Sequence, residues 1–369
     1  MNKPRILIIE NSTAVTGAMK AILSATSQLR SSFSFQFIVP KGSTTRTSYQ
    51  PEEVHELAMV ELSRRAVSLV SYVPRLLLNG LYLKRFVKRR EVDLIHVNDL
   101  YNLIPVVAKL LGCRVPYVCH VRFMPERFPR TLFNFWLRLH LRHACKLIVV
   151  SEALKKKLPH HDKIALIYDG YAFDSRRPTT RTGSTFLYLS NIIPGKGQDH
   201  ALAAFVNVHR QLPGWKLKFI GGDSGLEKNK HFLEHLKLVA LKAGVSDRVE
   251  WHGFTADVVS QYLQADIVLN FSESESFSMS SLEALSCGRP LIVTDCGGPA
   301  EIVQHEVTGI LVPNKDVKAM ERAMVRLATD DRLRATMGSN AEVDMRKRFD
   351  VALTGKKLEE VYRSCLRSI

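Results

Sequence analysis

Apolar runs of four to six residues recur along this chain, separated by longer amphipathic stretches in which the apolar positions follow a helical period. In the first half the runs predict strands at Arg5–Ile9, Phe35–Val39, Asp93–Val97, Tyr117–Val121, Leu147–Val150 and Ile164–Tyr168. The polar stretch from Asp174 to Ser184 reads as a linker. After it the series restarts at Thr185–Leu189, Leu217–Ile220, Val249–Trp251, Asp266–Phe271, Leu291–Thr294 and Ile310–Val312. Strands alternating with helices predict parallel sheets wrapped on both faces. The expected fold class is therefore α/β, with two doubly wound Rossmann-like domains facing a cleft and ligands at the C-terminal strand ends. The domains are expected over 1–175 and 185–350, with a last helix from about 351 to 369.

The most informative stretch runs from Glu275 to Pro290. It follows the apolar run ending at Phe271 and closes on Gly288 and Pro290, residues that cap and stop a helix. Strand, tight loop and helix thus follow one another. In such a unit the backbone N–H groups of Ser276, Phe277, Ser278 and Met279 lie at a helix N-terminus, where the dipole contributes roughly +0.5 charge and attracts an anion such as a phosphate. Two carboxylates, Glu275 and Glu283, flank that point eight positions apart. They would repel a bare phosphate, but an ionised carboxylate accepts two O–H donors, so sugar and ribose hydroxyls are its natural partners. Glu275 in the loop would face the sugar side of a diphosphate and Glu283 the nucleoside side. Alternatively, they are a solvated loop residue and a surface helix residue.

The surroundings of this pair, through Gly288-Arg289-Pro290, Thr294-Asp295 and Gly297-Gly298-Pro299-Ala300-Glu301, resemble the retaining nucleotide-sugar glycosyltransferases of family 4, with their glycosyltransferase-B fold and Glu-x7-Glu signature. Further segments resemble that family in its order, among them Val118-Cys119-His120, Asp169-Gly170, Pro194-Gly195-Lys196-Gly197 and Trp251-His252-Gly253-Phe254. The resemblance implies a retaining, metal-independent hexosyltransferase. It would move sugar from a nucleoside diphosphate to an acceptor hydroxyl as an α-linkage, by a front-face path in which the leaving phosphate takes the acceptor's proton. It also implies that the C-terminal domain holds the donor and the N-terminal domain the acceptor, and that the last helix packs back on the first domain.

Candidate roles follow residue by residue. Lys196 precedes a helix, and its ammonium would neutralise the departing diphosphate. The resemblance assigns His120 to the transferred sugar or leaving phosphate; a histidine satisfied by backbone is the plain alternative. On the donor side stand Glu283, Ser276 to Met279, Gly222, where a strand end lets backbone approach closely, Gly253, and Asn191, which occupies the place of the family's usual Arg. Arg122 or Arg289 is a candidate replacement for that Arg. Thr16, Gly17 and Arg122 are expected on the acceptor side. No Asp-x-Asp metal motif occurs, so neither metal nor other cofactor is expected. A nucleotide-sugar epimerase of the same fold and a non-catalytic sugar-nucleotide binder remain alternatives.

Composition narrows the picture. At 369 residues the chain exceeds the size at which one core stops growing, and 46% hydrophobic content suffices for two. No apolar run approaches the ~18 residues that span a bilayer, and the first apolar segment is too short for a secretory signal. Six cysteines without a Cys-x-x-Cys pair argue against a disulfide framework or zinc site, hence for a reducing cytoplasm. Residues 1–180 hold 28 Lys and Arg against 13 Asp and Glu, whereas 181–369 hold 24 against 23. The excess positive charge therefore surrounds the acceptor side, which suits an anionic acceptor or an anionic membrane. The basic clusters lack stacking aromatics and a recognition motif, so no nucleic acid is expected. Leu62 to Arg90 has eight basic residues and no acidic one. After Pro74 it reads as a helix placing Lys84, Arg85, Lys88 and Arg89 beside Leu76, Leu77, Leu81, Leu83 and Phe86. Arg130 to Lys146 repeats the theme with Phe133, Phe135 and Trp136. Peripheral attachment at the cytoplasmic leaflet, with a lipid-linked glycan precursor as acceptor, is the expectation.

Overall fold

The computed structural model describes residues 3–44, 53–59, 66–173 and 183–367. The predicted linker falls almost wholly outside them, as do Arg64 and Arg65 of the basic stretch. The chain divides into two compact units, Met1–Gly170 with Val351–Ile369, and Tyr171–Asp350.

Among the described residues the first unit carries seven strands: β1 (Arg5–Ile9), β2 (Ser34–Pro40), β3 (Val54–Leu57), β4 (Leu94–Val97), β5 (Tyr117–Val121), β6 (Lys146–Val149) and β7 (Ile164–Leu166). All pair in parallel, in the order β3-β2-β1-β4-β5-β6-β7. The helices between them are α1 (Gly17–Ser27), α2 (Ala66–Arg89), α3 (Ile104–Leu110), α4 (Arg130–His143) and α5 (Glu152–Lys156). Right-handed crossovers put α2 to α5 on one face of the sheet and α1 on the other. The strand β3 was not predicted: Val-His-Glu-Leu is short and half polar, as suits an edge. The helix α2 starts before Pro74 rather than after it, and Pro74 lies inside. The lost N–H costs one hydrogen bond that the rest of a 24-residue helix outweighs.

The second unit carries β8 (Thr185–Leu189), β9 (Lys216–Ile220), β10 (Val249–His252), β11 (Ile267–Asn270), β12 (Leu291–Thr294) and β13 (Gly309–Val312), again parallel, in the order β10-β9-β8-β11-β12-β13. Its helices are α6 (Gln198–Val208), α7 (Glu227–Lys242), α8 (Val258–Gln264), α9 (Met279–Ser286), α10 (Gly298–Ile302), α11 (Val317–Thr329) and α12 (Asp331–Phe349). Every strand position of β11 and β12 is buried, as their continuous apolar runs require.

The last helix, α13 (Val351–Leu366), returns to the first unit and packs on α1 and β4. Tyr362 is fully buried there beside Phe33, and Thr354 Oγ1 donates to the Tyr168 carbonyl at 2.9 Å. A disulfide joins Cys145, just before β6, to Cys365 near the end of α13. This single bridge corrects the reading that the cysteine spacing argues against disulfides, and it removes these two from the argument for a reducing compartment. Their 220-residue separation left no local spacing to read. Cys113, Cys119, Cys287 and Cys296 take part in no disulfide among the described residues.

Candidate functional site

In a doubly wound sheet the strand order reverses at one point, and the loops leaving the two strands there diverge to opposite faces and open a crevice. In the second unit that point lies between β8 and β11. The loop after β8 carries Asn191 to Gly197, and the loop after β11 carries Ser272 to Ser278. The geometry there is tight. Lys196 Nζ lies 2.9 Å from Glu275 Oε1, both side chains being partly exposed. The Tyr188 hydroxyl, fully buried on β8, donates to the Lys196 carbonyl and accepts the Phe271 N–H at 2.7 Å. Glu273 N–H donates to the Gly195 carbonyl at 3.0 Å. Gly197 caps α6 at φ +81°, and a Cβ there would overlap the Phe271 carbonyl, so only glycine lets the two loops approach this closely.

On the other side of Glu275, its backbone pairs with the turn before α10: Glu275 N–H donates to Cys296 O at 3.2 Å and Gly298 N–H to Glu275 O at 2.9 Å. Ser278 is the N-cap of α9, accepting the Ser281 N–H at 3.2 Å. Its hydroxyl is also bonded to Asn270 Nδ2 at 3.0 Å and Ser281 Oγ at 2.9 Å. The same Asn270 amide lies 3.4 Å from Glu275 Oε2, so one side chain at the end of β11 holds both the cap and the carboxylate. Phe277 is buried against Phe349, while Ser276 and Met279, the latter opening α9, are half-buried. Glu283 lies further along α9, buried, with Oε2 accepting the Tyr262 hydroxyl at 3.2 Å. Burial, reinforced by that carboxylate, pushes the Tyr262 phenol well up.

The remaining donor-side candidates sit at the same edge of the sheet. Asn191 is exposed, with its carbonyl accepting from Gln198 Nε2 at 2.8 Å, and the Gly222 carbonyl accepts the Ile192 N–H at 2.9 Å. Gly253 follows the edge strand β10 in open surroundings. Arg289 is elsewhere: it precedes β12, and its Nη2 donates to Leu263 O at 2.8 Å, at the opposite end of the strands from Lys196. It therefore cannot fill the place of the Arg that Asn191 leaves vacant.

In the first unit the order reverses between β1 and β4, and a buried polar network sits at their C-terminal ends. Glu10 Oε2 accepts from Asn98 Nδ2 at 2.6 Å, and Asn98 Oδ1 accepts from Arg122 Nε at 3.1 Å. Arg122 Nη1 donates to both Asp169 oxygens, at 2.8 and 2.6 Å. Such a buried pair is held rigidly, because either charge alone would be costly. Glu10 Oε1 binds Ser12, whose hydroxyl meets Thr16 Oγ1 at 3.1 Å, and Thr16 caps α1 just before Gly17. His120 Nδ1 lies 2.6 Å from His96 Nε2, and His96 Nδ1 lies 2.6 Å from the Tyr362 hydroxyl. Burial, reinforced by Arg122, holds His96 down to about 3 and His120 well below the usual range, so both rings are neutral. Burial also raises the Asp99 carboxyl well above its usual value. Beside these ends, a cavity of about 30 Å³ is lined by Asn11, Tyr72, Leu76, Asn79, Tyr101 and Asn102, among others. The Nδ2 atom of Asn11, one of the lining residues, is buried without a hydrogen-bond partner.

Sequence reasoning missed Asn270, Tyr188, Glu10 and Asn98. The signal for Asn270 and Asn98 was present: each is the polar residue that ends a buried strand at a reversal point. His96 and Tyr362 had no local signal, since 266 residues separate them.

Two family descriptions match. "Glycosyl transferases group 1" covers residues 173–344, and "Glycosyltransferase Family 4" covers 33–174. The chain belongs to the family 4 glycosyltransferases. Its fold is that family's glycosyltransferase-B pairing of two Rossmann-like units. Among solved structures, HepE of Anabaena in complex with UDP and glucose matches with a TM-score of 0.83 at 21% identity, over 97% of this chain and 99% of that one. Among curated relatives, the exopolysaccharide phosphotransferase of Streptomyces coelicolor is 29% identical over 58% of this chain and 22% of its own length. The D-inositol 3-phosphate glycosyltransferase of Saccharomonospora viridis is 27% identical over 56% of this chain and 51% of its own. The match thus spans between about a fifth and a half of these two relatives' length. Among the described residues, no helix is long and apolar enough to cross a membrane.

Proposed function

We propose that this glycosyltransferase moves a hexose-type sugar from a nucleoside diphosphate to an acceptor hydroxyl with retention, giving an α-linkage, without a metal ion. The observation that carries the proposal is the Lys196–Glu275 pair beside the capped N-terminus of α9. A diphosphate there would meet an ammonium and a helix dipole together, and the charge that develops on the leaving group would be stabilised in place. Glu275 would accept hydroxyls of the transferred sugar and Glu283 those of the ribose, with Gly222, Gly253, Asn191 and the 276–279 backbone around them. The first unit would take the acceptor, near Thr16, Gly17, Arg122 and the cavity at Asn11. Neutral His120 would hydrogen-bond the sugar or leaving phosphate rather than act as a base. The acceptor is proposed to be a lipid-linked precursor of a cell-surface polysaccharide, handled at the cytoplasmic face. UDP-sugars are the first donors to test, because HepE, of similar fold, is held with UDP and glucose.

A thermal-shift panel of UDP-, GDP- and ADP-sugars would identify the donor, since stabilisation grows with ligand concentration over its Kd. Product NMR in EDTA is then expected to show an α-anomer from an α-linked donor. A β-linkage would overturn retention, and strict magnesium dependence would overturn metal-free neutralisation. Release of an epimerised sugar without acceptor would make the protein an epimerase, and donor binding without any turnover a binder.

A further inference from the structure

The helices α2, α3 and α4 lie side by side on one face of the first sheet, α2 packing on α3 so closely that a Cβ on Gly80 would overlap Val107, and α3 on α4. Their sequences hold five Lys and Arg in α2, one in α3 and three in α4, and no Asp or Glu. The opposite face carries no such excess: α1 has one Lys, while α13 offsets its three cations with Glu359 and Glu360. The charge asymmetry is therefore concentrated in one layer.

The outer surface of that layer is also apolar, though not where the leucine pattern placed it. Leu83 and Phe86 are core, as are Phe133 and Trp136 on α4. Exposed instead are Val73 at 59%, Leu77, Leu78 at 64%, Leu81 and Tyr82. At 100° per residue these fall on one arc of α2, and the same arc continues through Lys84, Arg85, Lys88 and Arg89. The exposed face is thus apolar over residues 73–82, with exposed Arg75 at its margin, and basic over 84–89. Phe135 on α4, 54% exposed, adds a second apolar point with Arg138 and Arg142 beside it. A contiguous exposed apolar strip on a soluble surface marks an interaction site. The cations bordering it, with no carboxylate among these helices, select an anionic partner.

We infer that the outer face of α2, joined by Phe135 on α4, docks on an anionic lipid bilayer. Val73, Leu77, Leu78 and Tyr82 would enter the headgroup boundary while Arg85, Lys88 and Arg89 rest on lipid phosphates; Lys84 instead donates to the Leu111 carbonyl at 2.6 Å. The inner face of α2, through Tyr72, Leu76 and Asn79, lines the cavity at the proposed acceptor side, so one helix would separate bilayer from acceptor. Docking itself is independent of the transfer chemistry.

The test is sedimentation with vesicles of phosphatidylglycerol and phosphatidylcholine against phosphatidylcholine alone, at low and high salt. The wild type should bind only the anionic vesicles, and salt should release it. Exchanging Arg85, Lys88 and Arg89 for Ser, which leaves the Lys84 ammonium on the Leu111 carbonyl, or Val73, Leu77 and Leu78 for Ser, should each weaken binding at least about tenfold. Both sets are exposed, so the melting temperature and the hydrolysis of donor sugar should not change. A Leu78→Trp variant should show blue-shifted emission on anionic vesicles and quenching by brominated acyl chains. Indifference of the wild type to anionic vesicles at low salt overturns the inference. So does a concentration-dependent dimer that the Ser variants abolish, since a second copy would then own the face. Loss of vesicle binding with intact sugar transfer, or the reverse, separates this inference from the proposed reaction.

Discussion

The Lys196 ammonium lies 2.9 Å from Glu275 Oε1, so the resting site already holds its cation against a carboxylate. In the proposed reaction an arriving diphosphate would share or displace that partner. Replacing the carboxylate by its amide should therefore have opposite effects on two measurements. In Glu275→Gln, UDP should bind up to about fivefold more tightly, the range for a partly exposed pair. Turnover should fall about 10- to 150-fold, the cost of losing a hydrogen bond from a charged acceptor to the sugar. Calorimetry with UDP and steady-state kinetics measure the two; parallel losses in both would mean that Glu275 only braces the loop.

Lys196→Ala should cut turnover by roughly 10²–10³, by analogy with removing one preorganised donor to a developing charge. Donor binding should weaken less, because Ser278 still caps α9 and the loop after β11 is still pinned by Gly298. Near-normal turnover would reduce Lys196 to a structural partner of Glu275.

Much of this site was legible in the sequence because it lies in loops whose residues stand out. Lys196 between two glycines and Glu275 after a buried run are both visible without coordinates, and all six strands of the second unit were placed. What escaped was of two kinds. Asn270 looks like a strand member although its partners Glu275 and Ser278 follow within eight residues; Tyr188 looks like one too, and the bond it accepts from the Phe271 N–H, 83 residues on, comes only with the fold. On α2 the period gave the helix, but leucines occur all round it, so only packing decides that Leu83 is core and Leu78 surface. Likewise nothing near Cys145 announces Cys365.

Glu283 is buried against the Tyr262 hydroxyl, which complicates the obvious variant. Glu283→Ala removes the proposed ribose acceptor and also orphans a buried phenol, so it should lower stability by about 1–3 kcal/mol as well as weaken nucleotide binding. Glu283→Gln keeps an acceptor for Tyr262. Its melting temperature should stay close to wild type while UDP affinity falls by about 1.5–3 kcal/mol, the range for hydrogen bonds to a charged group. Unchanged affinity in the stable Gln variant would take Glu283 out of the donor site.

The buried histidines make acid stability a test of the first unit. His96 is held down to about 3 and His140 to about 4, both chiefly by burial, and His120 is shifted the same way. In the unfolded chain each would titrate near 6.5. Between those values the unfolded state binds more protons, so stability rises with pH there and is lost as pH falls below about 6.5. At pH 5 each neutral buried histidine costs about 2 kcal/mol relative to pH 7.5. Asp99 works against this: its raised carboxyl takes up a proton in the folded state first, which favours folding as pH falls. Three histidines against one carboxyl should leave a net loss. His140 is the best probe, since its Nε2 bonds the Leu100 carbonyl at 2.8 Å and its Nδ1 the Tyr117 hydroxyl at 3.2 Å, away from Lys196 and Glu275. A carbonyl only accepts, so Nε2 carries the proton and Nδ1 accepts from the phenol. Urea unfolding between pH 7.5 and 5 should show a falling midpoint, and His140→Gln, which keeps both bonding roles but does not titrate, should flatten that fall. A midpoint independent of pH, or an unchanged slope in His140→Gln, would mean that these rings are protonated or hydrated in the folded protein and that the neutral network around His96 and His120 is wrong.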